Sequence, residues 1–389
     1  MQGMDPMRVG IIGVGMTAFR PSTPEYSWKE LMFEAAARAY ADAGVDPRTQ
    51  VDSFVTCAED YYEGFGIFDE FVPDQLGAAL RPTCTVSGDG LHGLASAFMQ
   101  IQTGLVSVAV VEAHSKASDI VTLEGVLEHG LDPIWTKPLG AHPYVLAGLE
   151  ADAFLRATRT PRRALDAVVS KNRRNGLRNV RAAYGADVDE AQVASSPEAF
   201  SPLRRLDVSA PADGCVVLVL ASEAAARRFR AEPVWLRGIG WSSESPSIGT
   251  REGPGAGYAR DAAAMAYRLA RIRRPAQEVQ VAEVDDRFSF KELQHLEALG
   301  LAKAGDAGRR ALKGDWALDG RLPVNPSGGS LGGGNVFEAT GLRGTAEVAL
   351  QLRGEADGHQ VDGARVGIAQ AWRFVPTATG AVAVLGVGR

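Results

Sequence analysis

The 389-residue chain is poor in the residues that usually announce a chemistry: it holds three cysteines and six histidines. Cys57, Cys84 and Cys215 are widely spaced, odd in number and outside any C-x-x-C pattern. That excludes a zinc site within the chain and suits a reducing compartment. The histidines have no metal-ligand spacing, so each reads as a surface or satisfied core residue and no metal is expected. No apolar run reaches the ~18–20 residues of a membrane span. The stretch MQGMDPMRVGIIGVG lacks a basic segment followed by a long apolar one, so no signal peptide is expected and a cytoplasmic location is. A formal net charge of -6 leaves no basic footprint for nucleic acid. The local cluster Arg271, Arg273 and Arg274 reads as a solvated helix end.

What is present is an ordinary globular balance, 46% apolar and 23% charged, which argues against disorder. Val9–Val14 reads as a buried strand and Trp28–Ala43 as an amphipathic helix stopped by Gly44. Asp52–Cys57 predicts a second strand. A helix follows from about Gly90 to Thr103, and Val106–Glu112 predicts an apolar third strand. Apolar strands alternating with helices imply a largely parallel sheet covered on both faces.

The pattern then echoes. AAARAYADAGVDPRTQVDSFVTC (Ala35–Cys57) matches AAAMAYRLARIRRPAQEVQVAEVD (Ala262–Asp285) in its Ala-rich helix, its Tyr (Tyr40, Tyr267), its Pro turn (Pro47, Pro275) and the strand after it. A helix ending in Thr103-Gly104 answers one ending in Arg353-Gly354, each followed by an apolar strand. Two duplicated halves are expected, residues 1–232 and 233–389, with the boundary near Glu232-Pro233. Between the third strand and Cys215–Leu220 lies an insertion, about residues 113–205, rich in Pro, His and Arg and expected to form a lid.

Two glycine motifs need weighing. Gly13-Val-Gly15-Met-Thr-Ala18 fits a dinucleotide fingerprint, but that mechanism needs a helix to begin at the turn. Pro21 and Pro24 intervene, and no acidic residue closes a second strand at the expected distance. It reads as a strand-end turn. Asn325-Pro-Ser-Gly-Gly-Ser-Leu-Gly-Gly-Gly-Asn335 is the most unusual stretch. Its glycines bring backbone close to something, either a ligand or the other half's strand. It lacks Gly-Lys-Ser/Thr and is no P-loop.

Several spaced motifs now carry a resemblance. Ser170-Lys-Asn-Arg-Arg-Asn-Gly-Leu177, Pro202-Leu-Arg-Arg-Leu-Asp207, Ala212-Asp-Gly214, Gly320-Arg-Leu-Pro-Val-Asn-Pro-Ser-Gly-Gly329 and Ala339-Thr-Gly341 occur in the order seen in thiolases. Over nearly its whole length the chain resembles a thiolase of the sterol-carrier-protein type. The resemblance implies a five-layered αβαβα fold, a homodimer and a pocket for a coenzyme A thioester. Ser327, Gly328, Gly329 and Gly334 are the candidates to hold that thioester.

The family's catalytic groups are replaced. Counted back from Gly104, the nucleophilic cysteine falls at Ser87. The histidine of His-Asp-x-Phe falls at Asp285, and that of Gly-His-Pro-x-Gly at Asn335. The final loop reads Gln370-Ala-Trp-Arg-Phe374. A serine is far less acidic than a thiol and needs a well-placed base. Without the histidines only Asp285 or Glu338 qualifies. Cys84, three residues upstream on a strand, reads as structural.

Chemistry without a covalent intermediate remains open. Asn335 and backbone N–H groups near Ser87 are placed to hold a thioester oxygen as an enolate forms. Asp285 is the candidate to move a proton, especially if burial raises its pKa, the alternative being a strand-end carboxylate paired with Arg287 or another arginine. For Ser87 the alternative is a helix N-cap, with Asp89 competing. Thiolase relatives that cleave steroid side chains work without the nucleophile, beside a small OB-fold, zinc-ribbon partner. The expectation is therefore an acyl-CoA enzyme making or breaking a C–C bond next to the thioester. The alternative is a non-catalytic subunit that grips acyl-CoA or scaffolds an active partner, since Trp372-Arg-Phe374 is bulky where the family has glycines.

Overall fold

A computed structural model describes residues 7–64, 66–229, 232–251 and 253–388. Helix α1 (Trp28–Ala43) begins where Ser27 accepts from the Glu30 N–H while the Glu30 side chain accepts from the Ser27 N–H. This capping box satisfies two donors that the first turn leaves without partners. It ends at Gly44 in the left-handed conformation, φ 66°. Leu31, Met32, Ala35, Ala36, Ala39 and Ala43 form its buried stripe, and the small residues let the strand beneath come close. That strand, β1 (Val9–Met16), contains Gly13 and Gly15. A Cβ on Gly15 would lie 2.0 Å from the Ala35 carbonyl oxygen. The two glycines serve helix–strand contact, and no dinucleotide turn is formed.

The remaining strands are β2 (Ser53–Cys57), β3 (Thr83–Val86), β4 (Val108–Lys116), β5 (Asp213–Ser222), β6 (Val234–Ser243), β7 (Val281–Glu283), β8 (Val366–Trp372) and β9 (Thr379–Gly386). They join in the order β3-β2-β4-β5-β1-β6-β9-β8-β7. Only β2–β3, β2–β4 and β8–β7 are parallel; the pairs between them are antiparallel. The expectation of a largely parallel sheet is corrected to a mixed one. Strands buried on both faces are continuously apolar whichever way their neighbours run, so composition does not distinguish the two cases.

Helices α2 (Gly90–Gln102) and α7 (Thr340–Arg353) pack against each other in the middle layer. There Leu91, Leu94, Ile101, Leu342 and Ala346 share a core with both ends of the sheet. Helix α1 covers one outer face and α5 (Gly257–Ala270) the other, each with its own buried cluster. The chain thus has a thiolase-like layered α/β fold.

The excursion runs from Ala117 to Ala212, slightly displaced from 113–205, because β4 continues through His114 and Lys116. It is mainly helical, with α3 (Val145–Thr158) and α4 (Arg163–Arg178). Helix α4 lies against the glycine stretch 329–333 and against α6 (Ser289–Ala298). No helix among the described residues is long and apolar enough to cross a membrane.

Candidate active site

Five loops meet at one end of the molecule: those after β2, β3, β7 and β8, and the turn leading into α7. Ser87 sits in the loop after β3. Its Oγ donates to Glu59 Oε2 at 2.7 Å and accepts from Arg373 Nη2 at 2.9 Å. The helix behind it is capped by Asp89, whose carboxylate accepts from the Leu91 N–H at 2.9 Å and from the Gly341 N–H at 3.0 Å. Ser87 is therefore not the cap. Its one carboxylate neighbour, Glu59, is gripped by both Nε and Nη2 of Arg373. A carboxylate already engaged in two charge-assisted bonds is a poor acceptor for a serine proton.

Asp285 follows β7 and is 1% exposed. Its carboxylate pairs with Arg287, Nη2 to Oδ2 at 2.5 Å, and also accepts the Trp372 N–H at 3.1 Å. Burial pushes this carboxyl up, but the adjacent guanidinium outweighs it and holds the group below its usual range. Of the two readings of Asp285 from the sequence, this geometry is that of the pair with an arginine. Asp285 is a charged structural anchor, and Arg287 also donates to the Trp372 and Phe337 carbonyls.

Asn335 precedes a short turn, Phe337–Ala339, and is wholly buried. Its Oδ1 accepts from the Phe337 N–H at 3.0 Å, which fixes the amide orientation. Its Nδ2 is buried with no hydrogen-bond partner. An unspent buried donor costs ~1–3 kcal/mol, and such cost persists where function uses it. Ser87, Asp285 and Asn335 do not bond to one another directly. Arg373, Trp372, Arg287 and Phe337 connect them.

The glycine stretch serves a different purpose from the one expected. Ser327 Oγ donates to Glu283 Oε2 at 2.7 Å. Gly329 has φ 56° and faces the Asp286 carboxylate, 2.5 Å from where a Cβ would stand. Gly334, φ 99°, faces the Ala212 methyl at 2.5 Å, and Gly328 faces the α4 backbone at Gly176. The close approach these residues permit is to the chain's own atoms. Ser327, Gly328, Gly329 and Gly334, the candidates for the thioester, here pack against Glu283, the α4 backbone, Asp286 and Ala212.

Glu338, named from the sequence beside Asp285 as a possible base, stands at the same end of the molecule. Its Oε1 accepts from the Glu59 N–H at 3.0 Å. Burial, reinforced by the negative charge of Glu63, pushes its carboxyl well above the ordinary range. It lines a cavity of about 260 Å³ together with Phe337, Tyr62, Glu63, Lys116 and Trp28. Tyr62 Oη is buried there without a partner. Glu59, Tyr62, Glu63 and Arg373 were missed in the sequence. The one signal for the first three was an acidic and aromatic run, Glu59-Asp-Tyr-Tyr-Glu63, placed directly after a strand.

Trp372 and Phe374 pack inward on Phe288, leaving Arg373 as the side chain presented to Ser87. The bulk at this loop thus acts through the arginine and not through the indole. Cys84 lies on β3, and its sulfur is 4.0 Å from Gln100 Nε2. Gln100 is ten residues along α2 from Gly90, about 15 Å at 1.5 Å per residue. Its thiol is directed away from the site.

Residues 240–386 match the family model described as thiolase C-terminal domain-like. The chain is 29% identical over 368 residues to an acetyl-CoA acetyltransferase of Methanothermobacter thermautotrophicus, covering 92% of this chain and 94% of that protein. It is 27% identical to sterol carrier protein 2 of Bos taurus, covering 93% of this chain and 69% of that one. Among solved structures, an Ltp2–ChsH2(DUF35) aldolase superposes with a TM-score of 0.85 at 24% identity, over 99% of both chains. The fold is that of the thiolases. Residues 240–386 are thus similar to the thiolase C-terminal domain, and nearly the whole chain is similar to acetyl-CoA acetyltransferases and to sterol carrier protein 2.

Proposed function

We propose that the chain is an acyl-CoA enzyme that makes or breaks a C–C bond beside the thioester without forming an acyl-enzyme. The observation that carries this is Glu338, a carboxyl at the wall of a small cavity whose hold on a proton is raised well above the ordinary range by burial and by the Glu63 charge. In the cleavage direction a base takes the proton of a 3-hydroxyl, the Cα–Cβ bond breaks and its electron pair becomes a thioester enolate. A neutral carboxylic acid is suited to returning a proton to Cα. The free Nδ2 of Asn335 is suited to the enolate oxygen. Arg373 over Ser87 removes the serine from consideration as nucleophile. The aldolase named in the structural comparison is compatible with this class.

The mirror order of strands about the β1–β6 contact supports two duplicated halves meeting near Glu232-Pro233. Strand β3, half-buried at the sheet edge, supports a homodimer, because an open edge asks for cover. A small OB-fold, zinc-ribbon partner and a cytoplasmic location belong to the same reading. The test is to incubate the purified chain, alone and with such a partner, with 3-hydroxyacyl-CoA and 3-ketoacyl-CoA panels. Turnover that is lost in Glu338→Gln supports the proposal; turnover equal in that variant and the parent ends it.

The same arginine favours a second reading, a non-catalytic subunit, since Arg373 engages both Ser87 and the carboxylate beside it. Co-purification separates the two. A chain that turns over CoA esters and associates with no other protein excludes the second.

A further inference from the structure

Behind the cavity that Glu338 lines stands a second set of ionisable groups that the proposed chemistry has not yet used. Glu112 and His114 lie two apart on β4, so their side chains point to the same face. His114 is fully buried. Its Nδ1 is 3.0 Å from Glu112 Oε1, and its Nε2 is 3.3 Å from Glu63 Oε1 and 3.4 Å from Oε2. The imidazole lies against Trp28 and Phe68, with ring centroids 5.6 and 5.2 Å away, and those two rings are 5.1 Å from each other. Two aromatic rings within about 6 Å favour a cationic imidazole. Cys215 Sγ donates to Glu112 Oε1 at 3.4 Å, and Glu112 Oε2 is buried without a partner.

Glu63 stands between this cluster and the site. It ends the helical turn Asp60–Glu63 after β2 and, like Glu338, lines the 260 Å³ cavity. The groups around Glu338 are Glu63, Glu59, Tyr62 and, more distantly, Cys57. Those around His114 are Glu63 and Glu112, with Cys215 and Tyr40 beyond Glu112. Two carboxyl groups facing one small space do not both ionise readily; one holds the proton.

We infer that Glu63 and Glu338 form a carboxyl pair across this cavity that shares one proton, with His114 and Glu112 positioning Glu63 from behind. This deepens the proposed function and rests on it. A neutral Glu338 cannot act as a base until its proton has left, and Glu63 is the carboxylate placed to take it. The exchange converts Glu338 from acid to carboxylate and Glu63 from carboxylate to acid. His114 stays an imidazolium and the net charge is unchanged, so no further reactant is needed. A cavity of this size, with Glu63, Glu338, Lys116 and Tyr62 on its wall, has room for a water to carry the proton. Burial alone would push His114 down, but Glu63 and Glu112 outweigh it and hold it well above its ordinary value.

The test reads protonation directly and does not depend on turnover. Infrared difference spectra follow the carbonyl stretch of the neutral carboxyl, assigned to Glu338 by its absence in Glu338→Gln, as pH is raised. In Glu63→Gln the stretch is expected to vanish at a pH lower by about one unit or more than in the parent. His114→Gln, which leaves Glu63 an uncompensated charge, is expected to move it up. Nitrogen NMR of labelled histidine is expected to show His114 doubly protonated at pH 7. A stretch present in the parent but unmoved by both variants, or a neutral His114 at pH 7, overturns the pair and leaves the Glu338 reading standing. No stretch in the parent at any pH above 6 overturns both.

Discussion

Arg373 Nη2 donates to Ser87 Oγ at 2.9 Å across 286 residues of chain, and the same guanidinium grips Glu59. The position that resembles the thiolase nucleophile is thereby under a cation and a spoken-for carboxylate. Ser87→Ala is expected to change turnover of any accepted acyl-CoA by no more than about threefold, the size of a minor surface effect. Glu338→Gln is expected to lower it by about 10²–10⁴-fold, the range of a lost general acid–base group. Steady-state kinetics on both variants decide it, and the reverse ranking contradicts the assignment.

Asp285 is expected to report on stability. Asp285→Asn leaves Arg287 buried without its counter-charge, and breaking a buried pair from one side costs about 3–5 kcal/mol. Chemical denaturation is expected to show a loss of that order. An unchanged midpoint with abolished turnover would return Asp285 to the chemistry.

Asn335→Asp keeps the acceptor for the Phe337 N–H and removes the free Nδ2 donor. If that donor meets a developing enolate oxygen, kcat is expected to fall about 10²–10³-fold with KM little changed. A variant with parental kcat places the orphan amide outside the reaction.

A pH dependence of stability follows from Glu283, which burial first and the Glu347 charge second push up to about 8. A carboxyl raised on folding binds a proton in the native chain that the unfolded chain has released. Its stabilising contribution is complete below the unfolded value near 4.5 and declines as pH rises to about 8. Glu283→Gln is therefore expected to gain stability relative to the parent between pH 5 and 8, followed by calorimetry at closely spaced pH. A constant difference between the two proteins across that range contradicts the shift.

Local elements were legible in the sequence wherever one segment decided its own conformation. Helix Trp28–Ala43 was readable because Ser27, Glu30 and Gly44 mark its ends chemically. The echoing half was readable from its alanine helix and proline. In both copies the proline opens a one-turn helix, Pro47–Gln50 and Pro275–Glu278, before the strand begins. Strand direction was not readable, since β5 returns antiparallel only after the long lid excursion. The distant partners of ionisable groups were hidden for the same reason. The Asp285–Arg287 pair, two residues apart, was within reach of the sequence, but Glu338 is set by Glu59 and Glu63, some 280 residues earlier in the chain. The glycine stretch looked like a ligand loop because a helix such as α4 and a ligand ask the same thing of a backbone: no Cβ.

The most direct measurement is rapid-quench mass spectrometry of the intact chain during turnover of a 3-hydroxyacyl-CoA. Release of a shortened acyl-CoA and a carbonyl product with no mass added to the protein is the expected result. An acyl adduct that maps to Ser87 or Cys84 would contradict a mechanism that runs on proton transfer through Glu338.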